Sequence, residues 1–321
     1  MTRRTLGIMV AAASVAALSW GQPASADIPE STDPIRIVQN NWTSQLVLSN
    51  VVGQLLEKMG YNVEYKPSDT QLQYQAIANG DMDFQVEVWE GSQWESFKAA
   101  LDTGNMVEVG THDAITREEW WYPTYIEEVC PGLPDWKALD ACADKFATAE
   151  TRPKGRFVGP PADWGKHYGE RIQALKMNFQ EVAVGQAATL WAELQAAYDR
   201  KEPVVLFNWT PNFIEAKFEG KFIEFPDYDA ACMTDPKWGS NPDAIYDCGA
   251  PKKGFLKKGA WKGVQEKWPA AFEFFKRINF TNPDIAKAAA MVDVEGMTPE
   301  EAATKWIAEN EATWKKWIPE S

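Results

Sequence analysis

The chain has 321 residues, 46 acidic against 32 basic side chains and a formal charge of −14. That length exceeds what one hydrophobic core usually organises, so two lobes are expected, and the acidic balance argues against nucleic acid or anionic lipid as a partner. Sixteen tryptophans are far above ordinary usage, and where they fall carries the main functional signal.

In chain order the first element is a leader. Thr2-Arg3-Arg4 is a basic start, Leu6 to Leu18 an apolar run, and Ala24-Ser25-Ala26 a small-residue cleavage site. The paired arginines also fit a twin-arginine signal. The run of about 13 residues is too short for a bilayer, and no later stretch reaches the roughly 18 needed. Residues 1–26 are therefore expected to be removed, leaving a soluble exported chain that begins at Asp27. Without Arg3 and Arg4, 30 basic residues face 46 acidic ones, a formal charge of −16.

Ile35 to Gln39 reads as a first strand, followed by the Asn40-Asn41-Trp42 turn and a helix from Ser44 to Met59 that stops at Gly60. A strand over Asn62 to Tyr65, a helix over Leu72 to Ala78 closed by Asn79-Gly80, and a strand over Phe84 to Trp89 complete a βαβαβ pattern. No Gly-rich G-x-G-x-x-G opens the first helix, so a Rossmann-type cofactor site is not supported. A second α/β block spans Trp120 to Trp209, with strands near Arg156 to Val158 and Val204 to Phe207 and helices near Tyr168 to Leu175 and Ala187 to Arg200. The text from Phe225 to Gly254 is loop-like, and helices return over Gly263 to Phe275, Pro283 to Ala290 and Pro299 to Ile318. A chain that leaves one lobe and returns crosses twice, near 111–125 and 207–215. Lobe one is then 27–115 plus 212–321, and lobe two 116–211.

The four cysteines form two close pairs. In the oxidising surroundings of an exported protein, Cys130 with Cys142 and Cys232 with Cys248 are the expected bridges, each loop closure contributing roughly 3 kcal/mol. Asp227, Asp229, Asp235, Asn241, Asp243 and Asp247 crowd the segment that the second bridge staples. Hard oxygen ligands on a closed loop suit a structural Ca²⁺, with a solvated acidic loop of Asx turns as the alternative.

Trp42, Trp89, Trp121 and Trp209 each end a short apolar run, in NNWTS, VEVWEG, EEWWYP and FNWTP. Strand ends facing a crevice are where α/β proteins bind ligands, and indole faces there attract cations. Trp191, Trp261, Trp268, Trp306, Trp314 and Trp317 lie in helix-like text and are assigned to packing.

At NNWTSQ, DMDFQVEVWEG, WWYPTYI and VVLFNWTP the chain resembles the periplasmic substrate-binding proteins of quaternary-amine ABC transporters, the glycine betaine, choline and trimethylamine N-oxide class. The resemblance covers nearly the whole mature chain. It implies a two-lobe α/β binding protein of type II-like architecture with a two-segment hinge, a periplasmic location, and permease and ATPase subunits as partners. It further implies an aromatic box of Trp42, Trp89, Trp209 and one of Trp120, Trp121 and Tyr122, with Trp121 preferred and Trp120 in reserve.

A trimethylammonium group donates no conventional hydrogen bond and is held by ring faces at roughly 0.5–2 kcal/mol each. The other end of the ligand must supply discrimination. The neighbouring Glu118, Glu119, Glu127 and Glu128 would repel a betaine carboxylate but accept a choline hydroxyl or share a proton with an N-oxide. Similarity to the N-oxide binders makes Glu128 the first choice and Glu127 the second. The expected function is thus a monomeric receptor for trimethylamine N-oxide, without enzymatic activity or a catalytic cofactor, with choline or glycine betaine as alternatives. An exported sugar-binding protein or a glycosidase is the competitor from another class, since sugars also stack on indoles. Only His112 and His167 exist, and neither G-x-S-x-G nor H-E-x-x-H occurs.

Overall fold

A computed structural model describes residues 28–319; the expected leader and cleavage site lie outside them. The first elements are β1 (Ile35–Gln39), α1 (Thr43–Lys58), β2 (Val63–Pro67), α2 (Gln73–Asn79), β3 (Phe84–Trp89), α3 (Glu90–Asp102) and β4 (Met106–Pro123). There follow α4 (Trp136–Ala141), β5 (Gly155–Gly159), α5 (Tyr168–Ala174), β6 (Phe179–Ala183), α6 (Ala187–Arg200), β7 (Leu206–Thr210), α7 (Ile214–Lys217), β8 (Gly220–Phe222) and β9 (Gly254–Trp261). The chain closes with α8 (Val264–Lys267), α9 (Pro269–Arg277), α10 (Asn282–Asp293), α11 (Pro299–Glu309) and α12 (Glu311–Trp314). Thr281 and Thr298 start α10 and α11 with capping boxes, each followed by a proline in the first turn. No helix among the described residues is long and apolar enough to cross a membrane.

The strands run β2-β1-β3-β9-β4-β7-β5-β6, with β8 on the end of β4. β1 is parallel to β2 and β3, and β5 is parallel to β6 and β7. β4 joins these two parallel groups. Over Met106 to Thr116 it pairs with β9, and from Arg117 to Trp121 it pairs with β7, so one continuous strand serves two half-sheets. The chain rejoins the first half-sheet at Gly254, not at 207–215 as the sequence suggested. Before that, β8 pairs with Trp121 to Pro123, and Asn241 donates to the Ala174 carbonyl at the end of α5.

β9 is the strand that the sequence hides. Its text GFLKKGAW holds two glycines and two lysines, residues depleted in strands, yet Lys258 is 1% exposed. Its ammonium donates to the carbonyls of Phe275, Lys276 and Ile278, which satisfies the C-terminal end of α9.

Both expected disulfides, Cys130–Cys142 and Cys232–Cys248, are present. The expected calcium site is not. Among the described residues no group of three or more His, Cys, Asp or Glu side chains converges to hold a metal. Asp227 pairs with Lys252 at 2.8 Å, Asp229 and Asp235 accept from the backbone N–H two residues on, and Asn241 Oδ1 accepts from Asp243 N. Asp247 accepts from Asn241 N. The bonds at Asp229, Asp235 and Asn241 are the local Asx bonds that such short side chains make in turns. EDTA is accordingly expected to leave the melting temperature unchanged; a fall reversed by added calcium would restore the metal.

Candidate solute-binding site

The site lies where the C-terminal ends of parallel strands from both half-sheets face one another, the position that open α/β sheets use for ligands. Trp42 follows β1 and precedes the first turn of α1, and Trp89 ends β3 and precedes α3. From the other side come Trp209 on β7 and Trp164, in a single 3-10 turn after β5. These four indoles border one hollow together with Phe207, Thr70 and Glu118.

The rings meet edge to face, with Trp42 and Trp164 centroids 5.8 Å apart at 77° and Trp164 and Trp209 5.3 Å apart at 77°. That geometry is the favourable one for ring quadrupoles, and it leaves faces free. Trp191 and Phe207 pack against Trp209 at 4.9 and 5.7 Å. The hollow is small, a void of roughly 3 Å radius. A nitrogen bearing three methyl groups is about that size; a sugar ring is larger.

The polar groups behind the rings come from β3, whose pairing with β9 shifts register between Gln85 and Val88. Gln85 joins Asn40, Gln45 and Gln73 in a buried amide network that braces the loop after β1. Glu87, fully buried, takes three bonds on one oxygen: Trp42 Nε1 at 2.7 Å, Trp89 Nε1 at 2.9 Å and Ser44 Oγ at 3.1 Å. Burial raises its pKa to about 7 against the opposing pull of those three donors.

On β4, Glu118 lies directly across from Trp209. Its carboxylate pairs with Lys166 Nζ at 2.9 Å, both side chains being nearly buried, and its Oε2 has no hydrogen-bond partner. Burial lowers the pKa of Lys166 while Glu118 opposes that shift. Lys166 also donates to the Gly91 carbonyl at 2.9 Å, and Trp164 Nε1 donates to Asn41 Oδ1 at 2.6 Å. The two bonds connect the second half-sheet to the first turn of α3 and to the loop that follows β1. Gly165, with φ of +67°, makes this approach possible, because a Cβ there would lie 2.5 Å from Gln71 Nε2.

The structure thus brings Trp42, Trp89 and Trp209 together and leaves the other expected site residues elsewhere. Trp121 is buried against β8, where its ring occupies the space beside Gly220 that a Cβ would need. Trp120 stacks on Phe157 at 3.8 Å and 6°, inside the core. Glu127 accepts from Tyr122 and Lys221, and Glu128 is exposed on the 3-10 turn after Pro123. Trp164 and Glu118 border the hollow beside Trp42, Trp89 and Trp209. Sequence reasoning overlooked Trp164 because PPADWGKH contains no apolar run. His112 is held between the Val86 carbonyl and Phe280 N, and His167 stacks on Tyr246, so neither forms a nucleophile–base pair.

Comparison with known proteins agrees with this architecture. The family model described as the substrate binding domain of ABC-type glycine betaine transport systems matches residues 33–309. The trimethylamine N-oxide-binding protein of Pelagibacter ubique (strain HTCC1062) is 41% identical over 89% of this chain and 90% of its own length. The glycine betaine/proline betaine-binding periplasmic protein of Escherichia coli (strain K12) is 23% identical over 97% and 96%. Among solved structures, the glycine betaine/L-proline-binding protein of Borrelia burgdorferi superposes with a TM-score of 0.73 at 19% identity, covering 90% of this chain and 97% of that one. A choline-binding protein in complex with choline gives 0.71 at 18% identity, covering 90% and 92%. These structures share the two-lobe α/β fold. With its matched residues extending from before β1 to the end of α11, the chain belongs to the substrate-binding domain family of ABC-type glycine betaine transport systems.

Proposed function

We propose that the protein captures a small methylated amine, trimethylamine N-oxide before others, in the cage of Trp42, Trp89, Trp164 and Trp209 and delivers it to the permease and ATPase subunits of an ABC transporter. The observation that carries this reading is the meeting of two indoles from each half-sheet around a void of roughly 3 Å radius, with a carboxylate on its wall. Four desolvated rings contribute on the order of 2–8 kcal/mol toward a methylated cation, and micromolar binding corresponds to about 8 kcal/mol.

The free Oε2 of Glu118 selects among such cations. An N-oxide oxygen shares a proton with it in a short charge-assisted bond, a choline hydroxyl donates to it, and a betaine carboxylate is repelled. The 41% identical relative named for trimethylamine N-oxide supports the first of these. Choline is the second reading, favoured by the same oxygen.

In this reading the half-sheets are lobes, 28–116 with 254–319 and 117–253, joined through β4 and the segment entering β9. Only their closure completes the cage, so ligand shifts an equilibrium between open and closed forms. The protein works as a monomer in the periplasm, in keeping with the leader-like start, the two bridges and the periplasmic relative. Competition calorimetry with trimethylamine N-oxide, choline, glycine betaine and carnitine tests the proposal. The expected order places the N-oxide first and betaine behind choline; tightest binding of betaine, or of an oligosaccharide, would overturn it.

A further inference from the structure

Glu87 has a property that alignment of the cage does not require. Its Oε2 takes both indole N–H groups of the first half-sheet, whereas its Oε1 has no partner and the residue is fully buried. An amide oxygen would accept the same two N–H bonds without the cost of burying a charge. A carboxylate kept there lacks a counterion.

None of the surrounding charged or titratable groups supplies one. Lys258, on the adjoining strand β9, is turned to the end of α9, and Arg36 is paired with Asp83 at the far end of β3. His112 lies between Val86 O and Phe280 N. Asp293 of α10 accepts from Thr43, Glu90 of α3 accepts from Phe255 N, and across the void Lys166 pairs with Glu118.

Resting on the ligand class proposed above, we propose that Glu87 is the positioning residue and electrostatic counterpart of the cage: it fixes the faces of Trp42 and Trp89, and its charge is balanced by the methylated cation. A charge-assisted bond to each ring N–H is stronger than a neutral one, and in a desolvated site the carboxylate's field reaches a cation lying against the ring faces. The bound ligand is the missing counterion. Glu87 consequently acts through the two indoles and through space.

Burial places the Glu87 pKa at about 7, which makes the role measurable. A cation in the cage favours the ionised form, so affinity falls as pH drops from 8 to 6. Without ligand the sign is opposite: an acid whose folded pKa is raised stabilises the fold below its unfolded pKa and loses that contribution as pH rises through 7.

The probe is tetramethylammonium, which neither titrates nor carries an oxygen for Glu118, with trimethylamine N-oxide in parallel. In wild type its Kd is expected to rise about tenfold between pH 8 and pH 6, while Glu87→Gln binds about tenfold more weakly at pH 8 with a flat profile. Ligand-free Glu87→Gln should melt higher than wild type at pH 8, whereas a purely structural carboxylate would make it melt lower. A flat wild-type profile overturns the inference even if the variant does not fold, and so does a variant that matches wild type in affinity and pH dependence. Absence of binding by either ligand to wild type at any pH would instead remove the ligand class.

Discussion

Replacing Trp164 with alanine is expected to weaken trimethylamine N-oxide binding by about 1–3 kcal/mol, roughly five- to 150-fold, as is the same change at Trp42, Trp89 or Trp209. Each of these indoles borders the void, and each removal takes away one ring face and admits water to the rest. Trp164 is the most informative, since it packs edge-on against Trp42 across the two half-sheets and against Trp209 on its own side. Its loss removes a wall of the cage and one of the bonds that hold the halves together, Trp164 Nε1 to Asn41.

Trp120→Ala is the control with the opposite signature. That ring is fully buried and stacked on Phe157, with Phe179, Phe225 and Tyr168 at its edges. Its truncation is expected to cost roughly 3–5 kcal/mol of stability through the cavity it leaves, while the folded fraction binds normally. Calorimetry and thermal melting on the five variants separate the two groups. Unchanged affinity in Trp164→Ala, or a stable Trp120→Ala that no longer binds, would mean that the cage has been placed wrongly.

The same residues explain what the sequence could and could not disclose. Trp42, Trp89 and Trp209 end apolar runs and stand at or just beyond the ends of β1, β3 and β7, so local pattern picks out three of the indoles that border the hollow. Trp164 follows two prolines and precedes a glycine; nothing local distinguishes it from a loop tryptophan, and only the exit of β5 toward the loop after β1 gives it a purpose. Parity places Trp121 away from the hollow. Glu118 pairs across from Trp209 and Trp120 from Phe207, so the even residues of β4 carry the cavity face and its core extension while Trp121 points the other way. That register is a long-range fact set by β7, ninety residues later. Glu127 and Glu128 drop out for a nearer reason, because Pro123 ends the strand and a 3-10 turn begins. β9, by which the chain rejoins the first half-sheet, is hidden in the sequence because it contains a buried lysine whose partners, the carbonyls closing α9, come from later in the chain.

Glu118→Gln is expected to change which ligand binds more than whether one binds. The residue is 5% exposed and borders the hollow, its carboxylate pairs with Lys166, and its Oε2, beside Gly91, has no hydrogen-bond partner. A hydrogen bond to a charged group contributes about 1.5–3 kcal/mol, so affinity for trimethylamine N-oxide should fall roughly ten- to a hundredfold. Choline should lose a comparable amount. Tetramethylammonium, with no oxygen to present, should lose much less, and glycine betaine should gain relative to the others because a like charge has gone.

Glutamine is preferable to alanine for this test, since it retains an oxygen for Lys166. Removing either partner of a nearly buried pair outright costs roughly 3–5 kcal/mol by leaving the other charge uncompensated, and that loss would obscure the ligand effect. Lys166→Met removes both the pair with Glu118 and the bond to Gly91 and leaves the Glu118 charge uncompensated, so it is expected to lower the melting temperature and is no substitute for Glu118→Gln. If Glu118→Gln lowered all four affinities by one common factor, the carboxylate would be a brace of the cleft and selection among methylated amines would have to come from another part of its lining.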